Sequence, residues 1–202
     1  MATQNRQKIV KMAELAILTA IVFVLQALGI GLKLPFLATP VSLVLIPIVL
    51  GATVIGPKSG AWLGFVFGLE VFIMCGVMGM DTFTTILTQE HPFITFMLCI
   101  TKSTLAGFIS GIVYKALVKV NSWLAIFAAA IIAPIVNTGV FILGCLLMYN
   151  TLESNFVQDG STVFYFLIIG CAGLNFIIEL LINIVFTPAL SKLTVVLNKH
   201  LS

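Results

Sequence analysis

Six apolar stretches, each nearly free of charge and joined by short polar connections, constrain this chain more than any motif in it. They run over about 12–30, 41–56, 60–80, 93–118, 122–148 and 163–190. Crossing a hydrocarbon core about 30 Å thick takes roughly 20 residues of helix, and all but one of the stretches come close to that length. The second is about 16 residues long and carries Pro47, so at about 1.5 Å per residue it falls short and is expected to be bent or partly inserted. None shows the apolar/polar alternation of a membrane-barrel strand. The expected fold is therefore an all-α membrane protein: six transmembrane helices in a compact bundle, one integral membrane domain over residues 1–202.

Only 8% of residues are charged, against about 25% in soluble domains. That excludes secreted enzymes, nucleic-acid binders and disordered regulators, and the length leaves nothing for a soluble ATPase domain. The net charge of +3 contains no basic run dense enough to follow a phosphate backbone. Cys75, Cys99, Cys145 and Cys171 lie inside apolar runs without metal-binding or redox spacing and read as buried thiols. The polar start, Met1 to Lys11, precedes an apolar stretch of spanning length without a clear cleavage site, so it is expected to be a first anchor rather than a signal peptide.

The basic residues set an orientation. With a cytoplasmic N-terminus, Arg6, Lys8, Lys11, Lys58, Lys115, Lys119, Lys192 and Lys199 fall inside and Lys33 alone falls in an outer connection, the asymmetry expected of cytoplasmic loops. Both termini are then cytoplasmic. Asp81, Glu90, Glu153 and Asp159 fall outside, and the longer outer connections, about 81–92 and 149–162, are where lids or a vestibule are expected.

Small residues mark two ridges. Ala13, Ala16 and Ala20 share a side of the first helix, and Gly60, Gly64 and Gly68 recur every fourth position in the third. Such stripes let helices approach closely where hydrophobicity supplies no drive. The alanines suit either a neighbouring helix or another membrane subunit; the glycines favour packing within the chain. The turn from Gly56 to Gly60 lacks the GxxxxGK[ST] frame and follows a helix, which excludes a phosphate loop.

Polar groups at membrane depth are the sharpest functional signal. Glu70, Lys102, Asn137, Asn175, Glu179 and Asn183 sit in apolar helices, where such residues face a bundle interior or an aqueous cavity. Counted from the segment ends at about 1.5 Å per residue, Glu70, Lys102 and Asn137 lie roughly 13 to 23 Å from the outer surface, so they can converge at one level. Asn175, Glu179 and Asn183 are spaced by four and share one face; an interhelical hydrogen-bond network is the favoured role for Asn183. Lys102 is open to two roles, a buried pair with Glu70 or Glu179, or contact with an anionic ligand. Pro134, three residues before Asn137, frees a backbone carbonyl in this helix; either the local loosening exposes polar backbone to a substrate, or the Asn137 amide satisfies the broken ladder. Trp62 and Trp123 read as interface anchors.

Enzyme chemistry has no support in the sequence: HExxH and GxSxG are absent, and His91 and His200 stand alone, so neither a catalytic site nor a metal site is expected. A channel would need a charged ring or repeated filter segment. A solitary secondary transporter using Glu70 and Glu179 as a proton relay remains the rival class.

Three groups of residues carry a resemblance: Ala16-x-x-x-Ala20 after a basic N-terminus, the proline-bearing stretch from Leu45 to Ala52, and the glycine-spaced run from Gly56 to Gly68. Together they resemble the S component of energy-coupling factor (ECF) vitamin transporters. The segments from Pro134 to Thr138 and from Gly173 to Glu179 are similar to its pantothenate-type branch.

The resemblance implies a substrate-capture subunit that binds a vitamin at its outer face. It would dock on a transmembrane coupling subunit with two cytoplasmic ATPases, topple in the cell membrane to release its cargo, and hydrolyse no ATP itself. It implies no cofactor bound by this chain, with ATP used by the partners. Ala13, Ala16 and Ala20 are the expected docking face, and the connections after the first and third helices are expected gates. Pantothenate offers a carboxylate, hydroxyls and an amide to Glu70, Lys102, Asn137, Asn175 and Glu179, while folate, cobalamin and other vitamins are alternatives.

Overall fold

The computed structural model describes residues 2–31, 43–157 and 161–201, which are helical or connecting and contain no strand. Helix α1 runs over Ala2–Gly31, α2 over Leu45–Val54 and α3 over Pro57–Val71, which continues as a π-helical turn over Phe72–Val77. Then come α4 (Thr82–Glu90), α5 (Pro92–Leu117), α6 (Ser122–Leu146) and α7 (Tyr149–Phe156). The short α8 (Val163–Tyr165) passes through a second π-helical segment, Phe166–Gly173, into α9 (Leu174–Leu201).

Among the described residues, five helices are long and apolar enough to cross a membrane: Asn5–Gly29, Pro57–Val77, Pro92–Leu117, Ser122–Leu146 and Val163–Leu197. The second expected crossing, already short in the sequence, is not among them. Helix α2 has 10 residues, about 15 Å of helix, half a hydrocarbon core. It survives because the bundle surrounds it: Leu45, Ile48, Val49 and Ala52 are fully buried. The start of that stretch, 41–42, lies outside the described residues, as do Lys33 and Asp159.

Local sequence explains where helices begin. Pro57 and Pro92 occupy first-turn positions, where a missing N–H costs nothing. Gly56 precedes α3 with φ 133°, a conformation that side chains resist. The side chains of Asp81 and Asn121 accept from the backbone N–H of Thr84 (2.9 Å) and Leu124 (3.0 Å), capping α4 and α6. Helix α6 runs unbroken through Pro134.

The glycine ridge packs within the chain. A Cβ on Gly60 would come within 2.5 Å of the Gly107 carbonyl and 2.6 Å of the Ala52 methyl, while Gly64 and Gly68 face the carbonyls of Ser103 and Cys99. Helices α3 and α5 therefore meet backbone to backbone. Near the ends where α3 and α6 begin, Ala125, Ala129, Ala130 and Ala133 are also fully buried beside Val49 and Leu190. At the other end the core changes to Phe83, Leu87, Leu98, Met148, Leu152 and Leu167. The bundle is tight where its core residues are small and leaves a cavity where large side chains and short helices close it.

The outer connections expected to hold lids form helices, α4 and α7. They cap the same end. Trp62 and Trp123 stand exposed toward the opposite end, stacked on Phe65 and Phe127 with centroids 6.0 and 5.2 Å apart.

Candidate functional site

A cavity of about 80 Å³ lies inside the capped half of the bundle, with walls from α1, α3, α4, α5, α6, α9 and both π-helical turns. On the measure in which one water occupies roughly 10–15 Å³, it has room for several waters or a small organic molecule.

Four of the five expected ligand residues line it: Lys102, Asn137, Asn175 and Glu179. Glu70 does not. Phe67 and Val71 of the same helix are wall residues; at about 100° per residue they point nearly the same way, and Glu70 falls roughly 60 to 100° to one side of them. It is nonetheless buried, 5% exposed, and its Oε2 makes no hydrogen bond.

The Lys102 ammonium lies over the Phe141 ring, 4.9 Å from its centroid, within cation–π range. Among the described residues it forms no ion pair, so neither Glu70 nor Glu179 is its partner. Asn137 is 7% exposed, and its Oδ1 has no hydrogen-bond partner. One turn deeper on α9, Asn183 donates to the Glu179 carbonyl of its own helix at 2.9 Å rather than to a neighbour. Elsewhere along α9 a hydroxyl does reach another helix: Thr194 lies 3.4 Å from Thr53 of α2.

The remaining wall residues are not ones whose sequence pattern marks them as ligand contacts. Thr95, Leu98 and Cys99 share the Lys102 face of α5, Phe141 follows Asn137 by one turn of α6, and Cys171 precedes Asn175 by four residues. Gln26 reaches the cavity from α1. Cys75 and Cys171 arrive from π-helical turns, a geometry often found at functional sites. All four cysteines are buried and none is in a disulfide. Among the described residues, no group of three or more His, Cys, Asp or Glu side chains is placed to hold a metal.

Helix α4 closes the cavity with Phe83, Thr84 and Leu87. The Thr95 hydroxyl of α5 donates to the Leu87 carbonyl at 2.9 Å, and the Thr85 hydroxyl lies 2.8 Å from the Cys75 carbonyl, so the cap is tied to two walls. A third tie reaches α7. Glu90 accepts from the Thr151 hydroxyl (2.6 Å) and the Asn155 amide (2.9 Å), and the Thr151 oxygen lies 3.0 Å from His91 Nε2. The hydrogen bonds from Thr151 and then Asn155, with the nearby His91, hold the Glu90 carboxyl below its ordinary value.

On the outside of the bundle, Ala13, Ala16 and Ala20 are all exposed. Leu18, Val22 and Gln26 form the buried side of α1.

The family model for the substrate-specific component of ECF transporters matches residues 10–191, which include every wall of the cavity. The chain belongs to that family. Neither curated proteins nor solved structures give a match. As an ECF S component it is a membrane-embedded transport subunit rather than an enzyme, and its class binds a small molecule and associates with an ECF energising module.

Proposed function

We propose that this S component captures pantothenate at the outer side of the cell membrane. Both termini are cytoplasmic and the α4–α7 cap faces outward, the orientation favoured by the basic residues at the opposite end. Ala13, Ala16 and Ala20 dock on a transmembrane coupling subunit, and two cytoplasmic ATPases supply the energy by hydrolysing ATP. This chain needs no cofactor of its own.

The observation that carries this reading is the coincidence, on the walls of one cavity, of an ammonium without an ion pair among the described residues and an unmatched amide oxygen. A lysine at this depth is costly unless a counter-charge meets it. A carboxylate supplies that charge. An adjacent hydroxyl or amide N–H supplies the donor that Asn137 Oδ1 lacks. Pantothenate carries all three groups, with Asn175 and Glu179 as further contacts and Glu70 beside the site. A cavity of about 80 Å³ suits a small acid better than folate or cobalamin.

The test is radiolabelled pantothenate, measured first as equilibrium binding to the purified chain and then as uptake into vesicles with and without the coupling subunit and ATPases. Binding by the chain alone, with uptake only in the complete assembly, is expected. Full-rate uptake by the chain alone would instead support a secondary transporter.

A further inference from the structure

We infer that Phe141 is a positioning residue that sets the charge selectivity of the site by holding the Lys102 ammonium over its ring and away from the protein's own carboxylates. The inference rests on the reading of Lys102 as the group that receives the ligand's anion.

Two groups on these walls compete for the same cation. Glu179 lines the cavity together with Lys102, and a lysine side chain has enough rotatable bonds to seek a carboxylate near it. An ammonium paired to Glu179 would present a neutral surface to the ligand. Instead Nζ stands 4.9 Å from the centre of the Phe141 ring, whose negative face attracts a cation without neutralising its charge. The ammonium therefore keeps its full charge for an incoming anion.

The ring is itself fixed in place. Phe83 of α4, only 3% exposed, lies against it with centroids 5.9 Å apart, and Phe83 packs in turn on Phe156 of α7 at 5.0 Å. The hydroxyls at the cap end of the cavity offer little competition for ligand charge. Thr84 donates to Asp81 Oδ2 at 2.6 Å and Thr95 to the Leu87 carbonyl at 2.9 Å. Discrimination between an acid and its neutral counterpart thus falls to Lys102, and the quality of that discrimination falls to Phe141.

The experiment compares two probes, pantothenate and its neutral alcohol pantothenol, by equilibrium binding to wild-type protein, Phe141→Leu and Phe141→Tyr. Their ratio within one preparation cancels any loss of folded protein. Phe141→Leu should lower the preference for the acid at least tenfold, and Phe141→Tyr, which keeps a ring face, should restore most of it.

In parallel, [13C]lysine spectra, with the Lys102 signal assigned by its loss in Lys102→Met, should show an upfield ring-current displacement in wild type that disappears in Phe141→Leu. An undiminished acid preference in Phe141→Leu, or a Lys102 signal without that displacement, overturns the inference. If wild type binds neither probe, the pantothenate reading fails, and the Lys102 spectrum alone decides the position of the ammonium.

Discussion

Thr151 of α7 donates its hydroxyl proton to Glu90 of α4 at 2.6 Å, joining two connections that lie 61 residues apart in sequence. Through that bond the end of α4, whose Phe83 and Leu87 close the cavity, is held to α7.

Its pH dependence has a definite sign. The folded state holds the Glu90 carboxyl below its ordinary value, so the tie contributes fully above the ordinary carboxylate range and is lost as pH falls through the folded value. Hydrogen exchange of α4 and α7 should therefore accelerate on acidification. Glu90→Gln, which removes the charge at every pH, should remove Glu90's share of that acid response. An identical acid response in the variant would place the titrating group elsewhere.

The glycine ridge gives a stability prediction with an internal control. A methyl at position 64 would run into the Ser103 carbonyl, which is backbone and cannot rotate away. Gly64→Ala should destabilise by about 1–3 kcal/mol, the usual range for overpacking. Gly139 has nothing within 4 Å of the added carbon, and its α-helical position gains up to about 1 kcal/mol from alanine. Thermal unfolding in detergent should move in opposite directions for the two variants. Equal shifts would mean that α3 and α5 do not pack through this seam.

The long helices and the cavity differ in how openly the sequence announces them. Hydropathy alone marks the long helices, because a spanning helix must satisfy every backbone group within itself and cover itself in apolar side chains. It does not decide α2, since a short helix enclosed by neighbours is as apolar as a lipid-facing one. The cavity is half legible. Lys102, Asn137, Asn175 and Glu179 stand out as polar residues in apolar runs, and stepping three or four positions from each reaches Cys99, Leu98, Phe141 and Cys171. Glu70 stands out equally and misses the wall, because polarity marks depth but not azimuth around the helix. Cys75 and Cys171 depend on π-helical turns, which shift the face that a residue presents and leave no reliable mark in composition.

Lys102 supplies the binding prediction. Replacing it by alanine removes a charge-assisted interaction worth about 1.5–3 kcal/mol, a loss of roughly 10- to 150-fold in affinity for pantothenate. The fold should persist, since among the described residues Lys102 holds no ion pair together and its ammonium rests on the Phe141 ring. Titration calorimetry on protein that still elutes as a single species checks this. Unchanged affinity in a folded variant would remove Lys102 from the site.

The outward face of α1 separates capture from delivery. Ala16 lies between Ala13 and Ala20 on the exposed side of the helix, opposite the Leu18 and Val22 that bury it in the bundle. A partner helix approaching a small-residue stripe does so at backbone distance, and one large side chain is enough to hold it off. Ala16→Trp projects into the surroundings rather than the core, so pantothenate affinity and apparent Tm should stay close to wild type. ATP-driven uptake with the full energising module should fall at least tenfold, and the variant should be lost from pull-downs with the coupling subunit. A parallel loss of binding would mean that the stripe packs against this chain instead; undiminished uptake would mean that the coupling subunit docks on another face.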